Sequence, residues 1–302
     1  MRTLAALILG ASLAAACTGG PAPSPADPAI GTTPAVAAPA AAVALKDIPR
    51  TSGSPAAPAT SVPAIGKGDL ADIAGRSYLR VLVTPEQAHF ETRDGRHRGR
   101  TVDAVDAFAA ILNNALPRPV QVAYIATPED ALVTALLAGK GDIAVNLRLT
   151  FERDDQVSFA PPVRTGIREW IVTGPSVPAL VSLEDVGGRT VHVRRGSDHH
   201  ASLIRLNTQL KNINRAPATI TVGSAAQTDE DLLQLVNAGK LPATIVDDYV
   251  FEACCASLSG LKVNRDVAVS QDGIIAWATR KDAVALSAAV RDFFSSHRLS
   301  WP

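Results

Sequence analysis

LVTALLAGKGDIAVNLRLTFERDDQVSFAPP, residues 132–162, holds several kinds of local structure in one segment. Leu132, Leu136 and Leu137 form a helical stripe that stops at Gly139, because residues four apart share a helix face and glycine favours helix ends. Ile143-Ala144-Val145 follows Asp142 as an apolar run too short for a second helix. Thr150-Phe151-Glu152-Arg153 then reads as polar loop ahead of Phe159-Ala160-Pro161-Pro162. The segment predicts helix, tight turn, strand and loop in that order.

The same alternation extends outward in both directions. Upstream, Tyr78–Val83 reads as a buried strand, followed by a polar loop through Asp94-Gly95 to Gly99. Val102, Val105, Phe108, Ala109 and Leu112 then mark one helical face. Val120–Tyr124 is a further strand, and Thr127-Pro128 carries the signature of a helix start. Strand and helix in this order predict right-handed crossovers and a largely parallel sheet. Ligands bind at the carboxyl ends of such strands, so the loop after Ile143-Ala144-Val145 brings Asn146, Arg148 and Arg153 to a site.

Downstream, Glu169–Val172 crosses into a second lobe with the same alternation. A helix carrying Leu203, Leu206 and Leu210 follows Ser197-Asp198, and Leu241–Val246 runs into Asp247-Asp248. Ile274–Ala278 is the returning strand, and a last helix over residues 283–294 packs on the first lobe. Two crossings make a hinge.

Gly139-Lys140-Gly141-Asp142, Thr150 to Arg153 and Phe159 to Pro162 resemble the extracellular solute-binding proteins of family 3, over roughly residues 76–298. That resemblance implies a two-lobed α/β type II periplasmic binding protein fold, mostly parallel sheets with helices on both faces and a two-strand hinge. Lobe 1 would span about 76–167 and 274–302, lobe 2 about 173–267. It also implies roles. Arg153 would grip a ligand carboxylate with its two-pronged guanidinium, or else form a structural ion pair with Glu152, Asp154 or Asp155. Ser197 would sit at a helix start whose free N–H groups hold the same carboxylate, or cap that helix. Asp247 would accept the ligand's ammonium, or cap the next helix. Phe90 would cover the ligand side chain, or pack in the core. Asn146 and Arg148 depart from the family's amino-acid binders, and a second cation in the cleft suggests a more acidic ligand.

Lys+Arg and Asp+Glu both number 29, so no net field draws this chain to nucleic acid. Residues 1–17 read as a secretory signal too short to span a bilayer, and Ala14-Ala15-Ala16-Cys17 resembles a lipobox that would acylate Cys17. Residues 18–68, dominated by alanine and proline, cannot bury enough surface to fold and read as a disordered stalk for a binding domain over 69–302. Cys254 and Cys255 are adjacent, so buried thiols are expected in preference to a strained disulfide ring. No spacing argues for a metal, and no cofactor is implied.

The expected function is a monomeric, non-catalytic binding protein. Anchored through lipid, it would capture an amino acid or related zwitterion or anion for an ABC permease or for sensing. Two alternatives stand beside it. Gly196-Ser197 through Asp247 and Ala88-His89-Phe90 are also similar to the binding domain of membrane-bound lytic transglycosylases F, which implies sensing of cell-wall peptides without cleavage. A dehydratase of the same fold is the other, and would need a positioned acid in the cleft.

Overall fold

The computed structural model of the protein describes residues 54–55, 65–86 and 89–297. The expected signal segment, the lipid attachment at Cys17 and most of the stalk lie outside these residues. Within the expected stalk, two pieces are placed. β1 (Ser54–Pro55) adds antiparallel to the outer strand of a hairpin, β3 (Glu91–Arg93) with β4 (Arg96–Arg98). Gly66 and Gly68 offer their carbonyls to the buried guanidinium groups of Arg80 and Arg280, at 2.5 and 2.6 Å. Order therefore begins before residue 69. The hairpin replaces part of the expected loop: Asp94 and Gly95 both take positive φ, which is the geometry a two-residue hairpin turn requires.

After α1 (Leu70–Arg76), β2 (Tyr78–Val83) forms where expected, and α2 (Arg100–Ala115) follows the hairpin. β5 (Gln121–Ala126), α3 (Leu132–Leu137) and β6 (Ile143–Arg148) complete the alternation. Two local readings are corrected here. Thr127 does not cap a helix; its hydroxyl donates back to the Ile125 carbonyl at 3.0 Å, and only a 3-10 turn follows. The expected loop at residues 150–153 is a short helix, α4 (Phe151–Asp154), because the Thr150 side chain accepts from the Arg153 amide. β7 (Val157–Phe159) comes next.

β8 (Arg164–Thr173) is the first crossing. The second lobe then runs β9 (Thr190–Arg194), α5 (Asp198–Asn212), β10 (Thr219–Gly223), α6 (Asp229–Asn237), β11 (Ala243–Asp247) and α7 (Asp248–Cys254). β12 (Lys262–Arg280) returns as one strand far longer than the five residues expected, and α8 (Val284–Ser296) closes the described chain. Nine strands make one sheet in the order β10-β9-β11-β8-β12-β6-β2-β5, with β7 beside β12. Pairs toward each outer edge are parallel, whereas the two crossing strands pair antiparallel with each other and with their neighbours β11 and β6.

The apolar cores show why this makes two lobes. Val163, just before β8, and Ile167, early in it, pack with Val105, Phe108 and Val290 in the first; Trp170 and Val172, later in the same strand, pack with Leu233, Val250 and Phe251 in the second. β12 makes the reverse passage, from Ala268 in one core to Ile275 and Trp277 in the other. Trp277 fixes α8, with ring centroids 4.9 Å from Phe294 and 6.0 Å from Phe293. Such pairs contribute about 0.5–1.5 kcal/mol each beyond burial of area.

One cysteine expectation is overturned: Cys254 and Cys255 form a disulfide at the end of α7.

Candidate functional site

The two lobes meet around a cavity of about 60 Å³, room for only a few waters. Every element that feeds it ends there. β6 carries Asn146 and Arg148, while Glu86 and Glu129 follow the carboxyl ends of β2 and β5. From the second lobe, Arg194, Asp229 and Asp247 come from the carboxyl ends of β9, β10 and β11, with Asp198 and His199 in the first turn of α5. Parallel strands thus aim their chain ends into one crevice, as the fold's geometry requires.

Among the described residues, three close ion pairs cross that crevice, with a looser fourth between Arg148 and Asp198 at 3.9 Å. Arg153 donates from both terminal nitrogens to Asp198, at 3.0 and 2.9 Å. Arg148 Nη2 lies 2.8 and 3.0 Å from the two oxygens of Asp247. Arg194 donates to Asp229 at 2.7 Å within its own lobe and reaches across to Glu129 at 3.0 Å. Glu129 also accepts from the Asp198 amide at 3.0 Å, so a side-chain carboxylate sits on the free N–H of the first α5 turn.

Charge follows from this pairing. Burial alone would raise Asp247, but Arg148 and His199 outweigh it and hold the carboxyl well below the usual range. Burial works against a charged His199; the Asp229 and Asp247 carboxylates win and raise it to about 10. Its ring lies 3.2 Å from Asp247 and 3.7 Å from Asp229. Glu129 goes the other way, pushed up to about 7 by burial and by the Asp198 carboxylate against the pull of Arg194. Burial, reinforced by Asp229 and Glu230, lifts Glu86 well above its ordinary value. Glu169, raised mainly by burial, stands 3.4 Å behind Arg148.

Among the residues expected from sequence, Asn146, Arg148 and Asp247 line the cavity. Arg153 stands at its edge, engaged by Asp198 and not by Glu152, Asp154 or Asp155. Asp247 occupies the position before α7 but makes no side-chain cap. Ser197 is a cap: it is buried, accepts from the His200 amide and donates to the Arg194 carbonyl. Phe90 is in the first core, stacked on His97 and tilted against Tyr124, and the lining aromatic is Tyr249. Arg148, the second cation expected in the cleft, pairs through Nη2 with Asp247 and lies 3.4 Å from Glu169, while its Nε and Nη1 are buried without a hydrogen-bond partner. The residues missed, Glu129, Arg194, Asp198 and Asp229, share one signal: Arg194 ends β9, and the others lie in the segments that follow β5, β9 and β10.

Glu169, His199 and Asp247 offer ligand atoms within 4.8 Å of one another, a set that could suit a divalent ion. The Arg148 guanidinium fills that space, and a second cation would face its charge at contact distance.

The family model for bacterial extracellular solute-binding proteins, family 3, matches residues 79–298. The chain belongs to that family. This solute-binding protein has no match among curated protein sequences. Its fold is shared with a mutant of the arginine-binding protein from T. maritima, at 20% identity over 75% of this chain and 91% of that one, TM-score 0.60. It is similar also to the amino acid ABC transporter substrate-binding protein AbpA from Streptococcus pneumoniae bound to L-arginine, at 20% identity over 74% and 90%, TM-score 0.60. A third is an ancestral amino-acid-binding protein described as a precursor of cyclohexadienyl dehydratase, at 23% identity over 75% and 92%, TM-score 0.61. These neighbours do not show the likeness to lytic transglycosylase F. Among the described residues, no helix of this solute-binding protein is long and apolar enough to cross a membrane.

Proposed function

We propose that this protein captures a small polar solute, an amino acid or a related nitrogen-bearing compound, between its lobes in the bacterial envelope. Uptake through an ABC permease or sensing would follow from closure. The binding domain would span 69–302, carried on the stalk and anchored by acylated Cys17. The observation that supports this reading is the row of ion pairs facing each other across the cleft, Arg153 with Asp198, Arg148 with Asp247 and Arg194 with Glu129. Closure that depends on charge pairs is responsive to a charged ligand, which can exchange with one partner and alter the balance between open and closed lobes. The solved neighbours named for arginine or amino-acid binding accord with the ligand class. Binding accords with the state of Asp247, the acid the fold sets at the centre, which Arg148 and His199 hold as a carboxylate.

Thermal unfolding of the purified protein with polar amino acids, amines and dicarboxylates tests this. A ligand at about a hundred times its dissociation constant adds roughly 2.7 kcal/mol, or about 5–10 °C in the midpoint at this size. Absence of any shift across the panel would sink the proposal.

A further inference from the structure

We propose that the group recognised in the cleft is a cation, an ammonium or guanidinium, and that the ligand needs no carboxylate because the protein supplies one internally through Asp198. This deepens the function proposed above and rests on it, since the cleft is the same.

The two places that would grip a ligand carboxylate, the Arg153 fork and the first amide of α5, are both engaged, while Arg148 keeps Nε and Nη1 buried without a hydrogen-bond partner. Arg153 spends its two terminal nitrogens on both oxygens of Asp198, in the two-pronged geometry that a ligand carboxylate would otherwise occupy. The first free amide of α5, a second place for such a carboxylate, is engaged by Glu129. Arg148 is held by Asp247, and Arg194 by Asp229 and Glu129. A ligand carboxylate would have to displace one of these tethered acids, whose effective concentration is high, and leave it buried without a partner.

The negative side is not balanced. Five carboxylates line the cavity, Glu86, Glu129, Asp198, Asp229 and Asp247, against Arg148, Arg194 and His199. With Arg153 counted as the partner of Asp198, one carboxyl is still left over. Glu86 fits that description: among the described residues no hydrogen bond or ion pair holds its side chain, and it faces the cavity beside Arg194, Asp229, Asp247 and Tyr249. Burial and the nearby Asp229 and Glu230 favour its neutral form. An entering cation would draw that proton off and hydrogen-bond the carboxylate it leaves. The tyrosine ring adds an aromatic surface, with the Arg164 guanidinium 4.9 Å from its centroid.

Isothermal titration of the purified protein with matched probes decides the matter: arginine and agmatine, which share a guanidinium and differ in the carboxylate, with glutamate as the anionic control. Agmatine is expected to bind at least as tightly as arginine, and glutamate not at all. Glu86→Gln is expected to weaken agmatine about ten- to hundredfold, with the unfolding midpoint retained as proof of fold. Asp198→Asn, which frees the Arg153 fork, is expected to shift preference toward arginine by about tenfold or more. Binding of arginine without agmatine would overturn the proposal while leaving solute capture intact, and so would binding of glutamate alone. If none of the amines binds, the proposal falls; if no amino acid binds either, the proposed function falls with it.

Discussion

At the scale of single residues, the pair Arg148 and Asp247 sets the behaviour of the cleft. Both are about nine-tenths buried, so neither charge has water to fall back on. Asp247→Asn leaves the guanidinium only the more distant Glu169 and Asp198, at 3.4 and 3.9 Å, and is expected to cost about 3–5 kcal/mol of stability by urea unfolding. Replacing both partners with apolar groups, Arg148→Met with Asp247→Leu, is expected to cost less than the single change, because the guanidinium leaves with its partner and the remaining Glu169 and His199 offset each other. A double mutant as unstable as the sum of its parts would refute this. His199 provides the pH signature. Its folded value, about 10, lies above its ordinary 6.5, so the stability it contributes is whole below about pH 6.5 and is lost as pH rises through 10. The unfolding midpoint is expected to fall between pH 7 and 10, and His199→Gln to flatten that fall. A slope unchanged in the variant would show that His199 is not its source.

Among the elements, the start of the domain is tied to its end. Asp69 accepts from the Leu70 amide of its own helix at 2.8 Å and from the Ala285 and Leu286 amides of α8, both at 2.7 Å. Helix α8 has no side-chain cap of its own, so one carboxylate serves two helices. Burial opposes the charge on Asp69, but these amide bonds hold its carboxyl below the ordinary value. Asp69→Ala is expected to cost about 2 kcal/mol, roughly one cap at each helix, by denaturant titration. A change below a few tenths would mean that solvent replaces it. Nothing local in the sequence reveals such a contact between residues 69 and 285. What was legible there is periodicity: β2, β6, α5 and α8 are written in apolar spacing, and the boundary of β2 is read to the residue. The hairpin at Asp94-Gly95 was hidden because its strands are polar, and β12 because its exposed middle breaks the apolar run. The site divides in the same way. Arg153 and Asp247 stand out through family spacing and Arg148 through its place after β6, whereas Asp198 and the pairing of Arg148 with Asp247 depend on how two distant lobes close, which no local pattern records.

For the molecule as a whole, the three cross-cleft pairs act as a latch that any ligand must work against. The Asp198 amide is its natural reporter. It opens α5 and has no partner within the helix, so in an isolated helix it would exchange with solvent quickly. Here Glu129 of the other lobe accepts its proton, and the bond lasts only while the cleft is shut. The same Glu129 holds Arg194, so a single substitution, Glu129→Gln, weakens two cross-lobe contacts together. In that variant the Asp198 amide is expected to exchange about tenfold faster or more in hydrogen–deuterium exchange, while amides in the middle of α5, protected by its own bonds, stay as they were. If opening limits ligand entry, the association rate in the same variant rises in proportion, because the fraction of molecules able to receive ligand has grown. Faster exchange throughout α5 would instead mean that the helix itself had loosened. An unchanged Asp198 amide would mean that the lobes part without regard to these charges.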